Sequence, residues 1–187
     1  MVRPSRLAPL LMLALAACGG EPAPGDAPAA AGGPAPGGLT LSAEGVAGLS
    51  AATPFDSASV RAALPAGFTT ERHDAPGGAP AVWALRDGQI VFEVTGDASG
   101  TVARIDAPNE GVSGPGGVHP GQTFAEAGAA DLDCALGADD LRDRAVCRGT
   151  GVELVFASRA LVGQRALPPA EALADAFLER LVWRAER

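Results

Sequence analysis

A short apolar segment near the N-terminus decides which part of this chain can fold. Residues 7–17 form a mostly apolar run that follows Arg3 and Arg6, and Gly19 and Gly20 come soon after its end. A positively charged start followed by an apolar run of this length is typical of a secretory signal peptide, whereas a membrane-spanning helix needs about 20 residues. We therefore expect the folded part to begin later in the chain and to lie outside the cytoplasm.

The apolar run ends in Leu15-Ala16-Ala17-Cys18, which resembles the bacterial lipobox. In a lipobox the small residues let the extended chain enter a peptidase site, the cysteine thiol takes a diacylglyceryl group, and cleavage leaves the cysteine first. An ordinary signal peptide with an incidental cysteine and an uncleaved membrane helix are the alternatives. Gly19 replaces the Asp that commonly retains lipoproteins at the inner membrane. We predict an outer-membrane lipid anchor on Cys18, with the domain facing the periplasm; two or more acyl chains anchor stably.

Three regions follow from this prediction. Residues 1–17 would be a lipoprotein signal peptide, residues 18–38 the lipidated cysteine with a tether, and residues 39–187 a single folded domain. The tether is rich in Gly, Ala and Pro and contains no Leu, Ile, Val or Phe, so it cannot bury a core. The part from residue 39 onward is long enough for one hydrophobic core.

The charge balance excludes one class of partner and disfavours another. The formal net charge is −8 at pH 7, and all 14 positive charges are Arg because the chain has no Lys. Nucleic acids and anionic lipids attract basic surfaces. Nucleic acid is therefore excluded as a partner, and the overall charge gives no attraction to anionic lipid.

Alternation of apolar and polar residues predicts an α+β domain with a mainly antiparallel sheet and two or three short helices packed on it. Residues 39–49 are expected to form one or two strands. Asp56 is a natural N-cap for a helix that Pro65 ends. Four strands are expected between residues 67 and 106, with a two-residue turn at Asp87-Gly88.

The second half of the domain is expected to contain two helices and two strands. A capping box at Thr123 to Glu126 predicts a short helix that ends near Gly128. Residues 152–156 alternate as a strand, and Pro168-Pro169 suits the start of a helix through Asp175. Residues 177–183 fit either a continued helix, which lines up Leu173, Phe177 and Leu181, or a strand, which places Phe177, Leu181 and Trp183 on one face. The cluster of Phe, Val and Trp favours the strand.

Two cysteines remain once Cys18 is assigned to lipid. Cys134 and Cys147 are close in sequence and lie in a chain that we expect to be exported, so we predict a structural disulfide between them. A zinc site is disfavoured because two Cys and distant His residues do not give four ligands at the usual spacing. The C-x-x-C spacing of a redox pair is absent.

Five aspartates crowd the segment around these cysteines: Asp131, Asp133, Asp139, Asp140 and Asp143. A divalent cation site is one interpretation. However, the EF-hand order of acidic ligands, central Gly and terminal Glu is missing. Arg142, Arg144 and Arg148 lie in the same segment and can pair with the carboxylates, which favours a solvated charged loop.

His73 and His119 are the only histidines, and a periplasmic hydrolase that uses either with nearby carboxylates is a second hypothesis. No Ser sits in a G-x-S-x-G motif, and residues 114–117 lack the Gly-Lys-Ser/Thr of a phosphate-binding loop. Trp83 and Trp183 are both predicted on core strands, which leaves no aromatic platform for a sugar. We therefore predict no catalytic activity and no cofactor.

Taken in order, these segments resemble a family of Gram-negative envelope lipoproteins regulated by sigma-E (RpoE), whose domain has unknown function. The matching segments are Cys18, the glycines around Gly45 and Gly48, Thr53-Pro54-Phe55, the turn from Gly117 to Thr123, Cys134 with Cys147, residues 152–156, Leu167-Pro168-Pro169 and Leu181-Val182-Trp183. The resemblance covers almost all of residues 39–184. It implies an envelope location and a link to outer-membrane stress, and it carries no catalytic residues. Our first hypothesis is a non-catalytic outer-membrane lipoprotein that binds an envelope partner of unknown identity or supports envelope integrity.

Overall fold

A computed structural model of the protein describes residues 38–75 and 77–186. The strands are β1 Leu39–Ser42, β2 Gly45–Val46, β3 Phe68–Asp74, β4 Pro80–Arg86, β5 Gln89–Gly96, β6 Val102–Ala107, β7 Val112–Ser113, β8 Asp133–Leu136, β9 Arg144–Arg148, β10 Glu153–Ala157 and β11 Phe177–Arg184. The helices are α1 Ser57–Ala63 and α2 Ala170–Leu173. The predicted signal peptide, Cys18 and nearly all of the predicted tether lie outside the described residues. No helix in the described ranges is long and apolar enough to cross a membrane.

Eight strands form one antiparallel sheet in the order β3-β4-β5-β6-β11-β10-β9-β8. The sheet consists of two four-stranded meanders, β3 to β6 and β8 to β11, which join where β11 pairs with β6. Each meander follows the chain order, and the connections are short except the one between β10 and β11, which spans residues 158–176 and contains α2. A small second sheet has the order β2-β1-β7, and β1 runs parallel to β7.

The large sheet has a core face and an outer face. The core face carries buried apolar side chains such as Phe92, Ile105 and Phe156, against which Val60 of α1 packs. The small sheet also lies on this face, where Trp183 Nε1 donates a hydrogen bond of 2.7 Å to the Ala43 carbonyl. The outer face is the opposite surface of the large sheet. One row of cross-strand partners on this face runs through Trp83, Glu93, Asp106, Val182 and Glu153.

Two local predictions are confirmed. Asp56 caps α1, because its carboxylate accepts hydrogen bonds from the backbone N–H groups of Ala58 and Ser59. Asp87 and Gly88 connect β4 to β5 with φ values of 53° and 76°. Positive φ at both central residues is the geometry that a two-residue hairpin turn of type I′ requires.

The domain is mainly β, with less helix than the predicted α+β class. Residues 124–128 form turns rather than a helix, although Thr123 and Glu126 make the reciprocal capping-box bonds. Only one turn forms, because the N–H of Ala127 donates to the Thr123 carbonyl at 2.9 Å and Gly128 then adopts the left-handed conformation, with φ 62°. The N–H of Phe124 donates to the Ala176 carbonyl at 2.7 Å. The segment is thereby held against the chain that leads into β11, and α2 is only a single turn.

A bulge in β11 changes the predicted faces of this strand. The β10–β11 register shifts between Val155 and Phe156, which leaves Glu179 without a partner in the ladder. The extra residue puts Leu178 on the core face with Leu181, while Phe177 is 50% exposed. The predicted placement of Phe177 beside Leu181 was therefore wrong. Trp83 also departs from its predicted core position, since it lies on the outer face.

We expect Asp56→Ala to lower Tm by a few degrees at pH 7, because the first N–H groups of α1 lose their acceptor. The N–H of Ser59 lowers the pKa of the Asp56 carboxyl. The stabilisation is therefore present above the ordinary pKa of 3.8 and is lost as the pH falls through the lowered value. The Tm gap between wild type and the Ala variant should close in acid. Thermal unfolding from pH 2 to 7 measures this Tm gap. Asp56→Asn is the control, since its side chain can cap the helix but does not titrate. A Tm gap that stays constant with pH would contradict the prediction.

Candidate functional site

Three side chains from β3, β4 and β5 form a compact cluster on the outer face. The His73 ring stacks on Trp83 with centroids 4.0 Å apart. Glu93 Oε2 accepts from Trp83 Nε1 and from His73 Nε2, each at 3.0 Å. His73 Nδ1 is buried and has no hydrogen-bond partner among the described residues. The ring of His73 is thus held by one stacking contact and one charged acceptor.

A second cluster is centred on Asp106, which is only 3% exposed although it faces outward. Arg104 Nη2 donates to Asp106 Oδ1 at 2.7 Å, and Arg180 Nη1 lies 3.4 Å from the same oxygen. Burial raises the pKa of the Asp106 carboxyl, and Arg104 acts in the opposite direction. Arg180 also pairs with Glu179 at 3.1 Å, and Glu179 pairs in turn with Arg144. These residues form a continuous charged network across β6, β11 and β9.

The segment between β8 and β9, residues 137–143, folds over this network. Leu141 is buried against Val155 and Val182 on the outer face. Asp140 Oδ2 lies 2.8 Å from Arg104 Nη1 and so extends the network into the segment. The side chains of Leu141 and Asp140 therefore cover apolar and charged parts of the sheet, respectively.

The other predicted aspartates lie apart from one another. Asp143 Oδ1 accepts from the N–H of Gly163 at 2.9 Å, and Asp133 pairs with Arg148 at 3.4 Å on the exposed edge. Asp131 ends a single 3₁₀ turn, and Asp139 begins another. Within residues 38–75 and 77–186, no group of three or more His, Cys, Asp or Glu side chains is arranged to hold a metal ion.

The predicted disulfide is confirmed. Cys134 of β8 and Cys147 of β9 are directly paired in the ladder and joined by a bond of 2.04 Å. Cys147 is buried in the core, while Cys134 is half-buried. The bond closes the base of the hairpin whose loop, residues 137–143, covers the outer face.

Comparison with known proteins places this architecture in an uncharacterised family. Residues 35–185 match a family described as "Protein of unknown function (DUF1131)". The chain belongs to this family. Its fold is similar to that of the uncharacterized protein yfeY from Escherichia coli, whose crystal structure gives a TM-score of 0.60 at 20% sequence identity. The similarity covers 78% of this chain and 99% of the yfeY chain. No curated protein matches the sequence.

The DUF1131 domain keeps its two histidines apart. His119 lies in the loop after β7, and its Nδ1 donates to the Pro120 carbonyl at 3.0 Å. This loop is bound to β11, because the N–H of Gly121 donates to the Leu178 carbonyl. His73 is on β3, four strand spacings from β11, which corresponds to about 19 Å. The structure therefore does not bring the two predicted catalytic candidates together.

Three cavities of the DUF1131 domain involve neither histidine. One, of about 350 Å³, and another, of about 290 Å³, lie beside the β9–β10 turn and share Arg148, Glu153 and Arg184 as lining residues. Arg184 Nε donates to Glu153 Oε2 at 3.0 Å within this shared wall. A third, of about 380 Å³, follows the β1–β2 hairpin from Thr40 to Ser50.

Sequence reasoning missed the residues that form the outer-face clusters. Neither the partners of Glu93 nor a role for Asp106 was predicted. The available signal was the presence of polar residues at alternating positions in two otherwise apolar strands, Glu93 with Thr95 and Arg104 with Asp106. This pattern predicts a shared polar face. Contact with Arg180 depends on pairing between β6 and β11, which local sequence does not reveal.

Proposed function

We propose that this protein is a bacterial outer-membrane lipoprotein, anchored through acylated Cys18, whose DUF1131 domain acts by binding an envelope partner rather than by catalysis. We further propose that it supports envelope integrity as part of the sigma-E (RpoE) stress response. The signal-peptide pattern and the lipobox of residues 15–18 support the anchor. The Cys134–Cys147 bond supports export, because disulfides persist in oxidising compartments.

The observation that carries the binding role is the environment of His73. A general base must reach the proton it removes, either directly or through one water. Here Nε2 is engaged by Glu93, and Nδ1 is buried. The side chain is 15% exposed and lies under the stacking contact with Trp83. This arrangement fixes the ring as part of a surface and does not aim a free nitrogen at a substrate.

The second candidate, a hydrolase, is favoured by one contact. The distance of 3.0 Å between His73 Nε2 and Glu93 Oε2 is that of a base and the group that orients it. Such a site also needs a nucleophilic side chain or a water within reach of the other ring nitrogen, and His73 Nδ1 is buried without a partner among the described residues. The hydrolase hypothesis therefore depends on a role for His73 or His119 that substitution can test.

Cys18→Ser is expected to abolish lipidation, because the thiol is the acceptor of the diacylglyceryl group. The wild-type protein should float with outer membrane and partition into detergent, while the variant should remain an unprocessed precursor or be released. Mass spectrometry of residue 18 and density fractionation measure this. Gly19→Asp is the matched control, which should keep the lipid and shift the protein towards the inner membrane. Normal processing and membrane attachment of Cys18→Ser would contradict the anchor.

His73→Ala and His119→Ala, singly and together, should still complement a deletion strain that has an envelope phenotype. Each variant must be present at normal abundance and folded, with Cys134 and Cys147 still bonded. His73→Gln is the matched control, since its amide can still donate to Glu93 but cannot act as a general base. Loss of complementation in folded His73→Ala and His73→Gln, or in folded His119→Ala, would replace the binding role with the hydrolase.

A further inference from the structure

The loop of residues 137–143 covers a small apolar strip on the outer face. This valine strip has one side chain from each of β9, β10 and β11, namely Val146, Val155 and Val182. Leu141, the one large apolar residue in the loop sequence, packs on the strip and is buried there. Charged residues flank the strip, since Val182 pairs with Asp106 on β6 and with Glu153 on β10. An apolar centre with a polar rim is the usual composition of a protein interface.

Next to the valine strip, one guanidinium group is held in a fixed orientation. Arg104 Nε lies 2.6 Å from Asp106 Oδ2, and Arg104 Nη2 donates to Asp106 Oδ1 at 2.7 Å. A two-point contact of this kind fixes the plane of the guanidinium group. The remaining nitrogen, Nη1, lies 2.8 Å from Asp140 Oδ2. The Arg104 side chain is 16% exposed and that of Asp140 is 41% exposed, so the sheet presents the cation and the loop supplies a carboxylate from the solvent side.

The loop has few contacts that hold it closed. Its apolar contact with the sheet is made by Leu141, and its ion pair with Arg104 is made by the exposed Asp140. At the end of the loop, Asp143 accepts from the N–H of Gly163. Ion pairs at the surface stabilise a fold little, and segments with few buried apolar contacts open locally at a low free-energy cost.

Two further features oppose tight closure of the loop. Asp139 and Asp143 have φ values of 52° and 62°, and this left-handed conformation costs free energy for a residue with a side chain. A cavity of about 290 Å³ is lined by residues 135–141 and by side chains of the sheet such as Val146, so the loop leaves space beside the strip unfilled. The disulfide joins β8 to β9 outside the loop. Opening of the loop therefore does not require these strands to separate.

We propose that the valine strip and Arg104 form a docking groove for an extended peptide of an envelope partner, and that the loop of residues 137–143 occupies this groove until the partner displaces it. Displacement uncovers the strip and takes the Asp140 carboxylate away from Arg104. A partner restores both contacts if it supplies an aliphatic side chain next to an aspartate or glutamate, as Leu141 and Asp140 do. A ligand shifts such an equilibrium only by the difference in its affinity for the two states. The groove rests on the proposed binding role, for which it specifies the partner's chemistry, and it does not require the lipid anchor.

A labelled peptide with the sequence of residues 137–143, Gly-Ala-Asp-Asp-Leu-Arg-Asp, is the probe for the groove. The purified protein carrying Asp140→Asn/Leu141→Ser lacks both contacts of its own loop. We expect the peptide to bind this variant and to shift the methyl NMR signals of the valine strip. The wild type should bind at least about tenfold more weakly, because its tethered loop competes at a high effective concentration. Asp139→Asn makes the same change of charge at an exposed position of the loop and should bind like the wild type.

Changes in the peptide test the two contacts without altering the protein. Serine in place of the leucine should weaken binding by more than about tenfold, because burial of an aliphatic side chain is lost. Asparagine in place of the second aspartate, the counterpart of Asp140, should weaken binding about tenfold, because a charged hydrogen bond is lost. The same change at the first aspartate, the counterpart of Asp139, should have no effect. Equal binding of the leucine and serine peptides, or no binding to the folded double variant at millimolar peptide, would overturn the proposal.

Hydrogen exchange of the wild type tests the opening of the loop even if the double variant does not fold. The N–H of Leu141 donates to the Ala138 carbonyl within the loop. This N–H should exchange through local opening, faster than the N–H of Val155 in β10 and at a rate that low concentrations of urea leave unchanged. Exchange only through global unfolding would make the loop a fixed part of the fold and would overturn the proposal.

The remaining outcomes separate the groove from other interpretations. A wild-type dimer that Leu141→Ser abolishes would place the loop of a second copy in the groove and would overturn the partner peptide. Failure of the groove does not decide the proposed function, because Cys18→Ser tests the anchor and the histidine variants test the non-catalytic role without changing the loop. Circular dichroism confirms that each variant is folded.

Discussion

Replacing both Cys134 and Cys147 with alanine is expected to lower the free energy of unfolding by about 3 kcal/mol. The two cysteines are separated by 13 residues, and in the chain-entropy model a crosslink over such a loop restricts the unfolded chain by about this amount. For a domain of this size the loss corresponds to a Tm lower by about 10 °C. We expect β8 to unfold first, because β8 is an edge strand that pairs only with β9 in the large sheet.

Denaturant unfolding of wild type and of the double variant, each with and without reductant, measures this effect. Reductant should bring the wild type close to the double variant and should leave the variant unchanged. Alkylation followed by mass spectrometry gives the number of free thiols in the native protein. Two free thiols would show that the disulfide assignment is wrong, and a wild-type Tm that reductant leaves unchanged would contradict the stabilisation.

Asp106→Ala is expected to destabilise the domain by about 3 kcal/mol. Asp106 is buried between Arg104 and Arg180, and removing one partner of a buried charge network leaves the other charges uncompensated. Without the Asp106 carboxylate, Arg104 is positioned less firmly, and Arg104 also pairs with Asp140 in the loop of residues 137–143. Asp106→Asn, which keeps the shape and one acceptor oxygen, should cost less. Equal stabilities of the Ala variant and the wild type in urea would show that the network contributes nothing.

The contribution of Asp106 to folding stability should change with pH in one direction. Burial raises the pKa of Asp106 above its ordinary value of 3.8, so the folded state holds this proton more tightly than the unfolded chain does. The corresponding stabilisation is present below about pH 4 and is lost as the pH rises through the raised pKa. Because Asn does not titrate, the stability of Asp106→Asn relative to wild type should improve as the pH rises. A relative stability that worsens over this range would mean that the arginines, and not burial, dominate.

Local features of the sequence predicted many elements correctly because they depend on neighbouring residues. The Asp56 cap and the Asp87-Gly88 turn each need only a few consecutive residues. The alternation of apolar and polar residues predicted four strands between residues 67 and 106, and these are β3 to β6. The spacing of Cys134 and Cys147, in a chain that we expect to be exported, predicted their bond. The lipid anchor on Cys18 stays a prediction.

The capping box at Thr123 shows where local rules stop. Its two reciprocal bonds form, yet only one turn follows, because Gly128 adopts the left-handed conformation and ends it. The first N–H groups of a helix have no partner within it, so a capping box marks a helix start and does not set the length of the helix. Here the N–H groups of Phe124 and Ala125 donate to the Ala176 and Ala174 carbonyls. The bulge at Glu179 is a similar case, since the predicted strand exists but its faces change where the bulge lies.

By itself the sequence predicted a fold built largely of antiparallel strands with one disulfide, because strand alternation, turns and the spacing of the cysteine pair depend on residues close together in the chain. Only the tertiary structure decided which side chains meet on the outer face. Asp106 and Arg180 are 74 residues apart and touch because β6 and β11 join the two meanders. Likewise, Phe177 turns outward because a bulge shifts the register between β10 and β11. Strand register and bulges set these contacts, and both depend on the packing of the whole sheet.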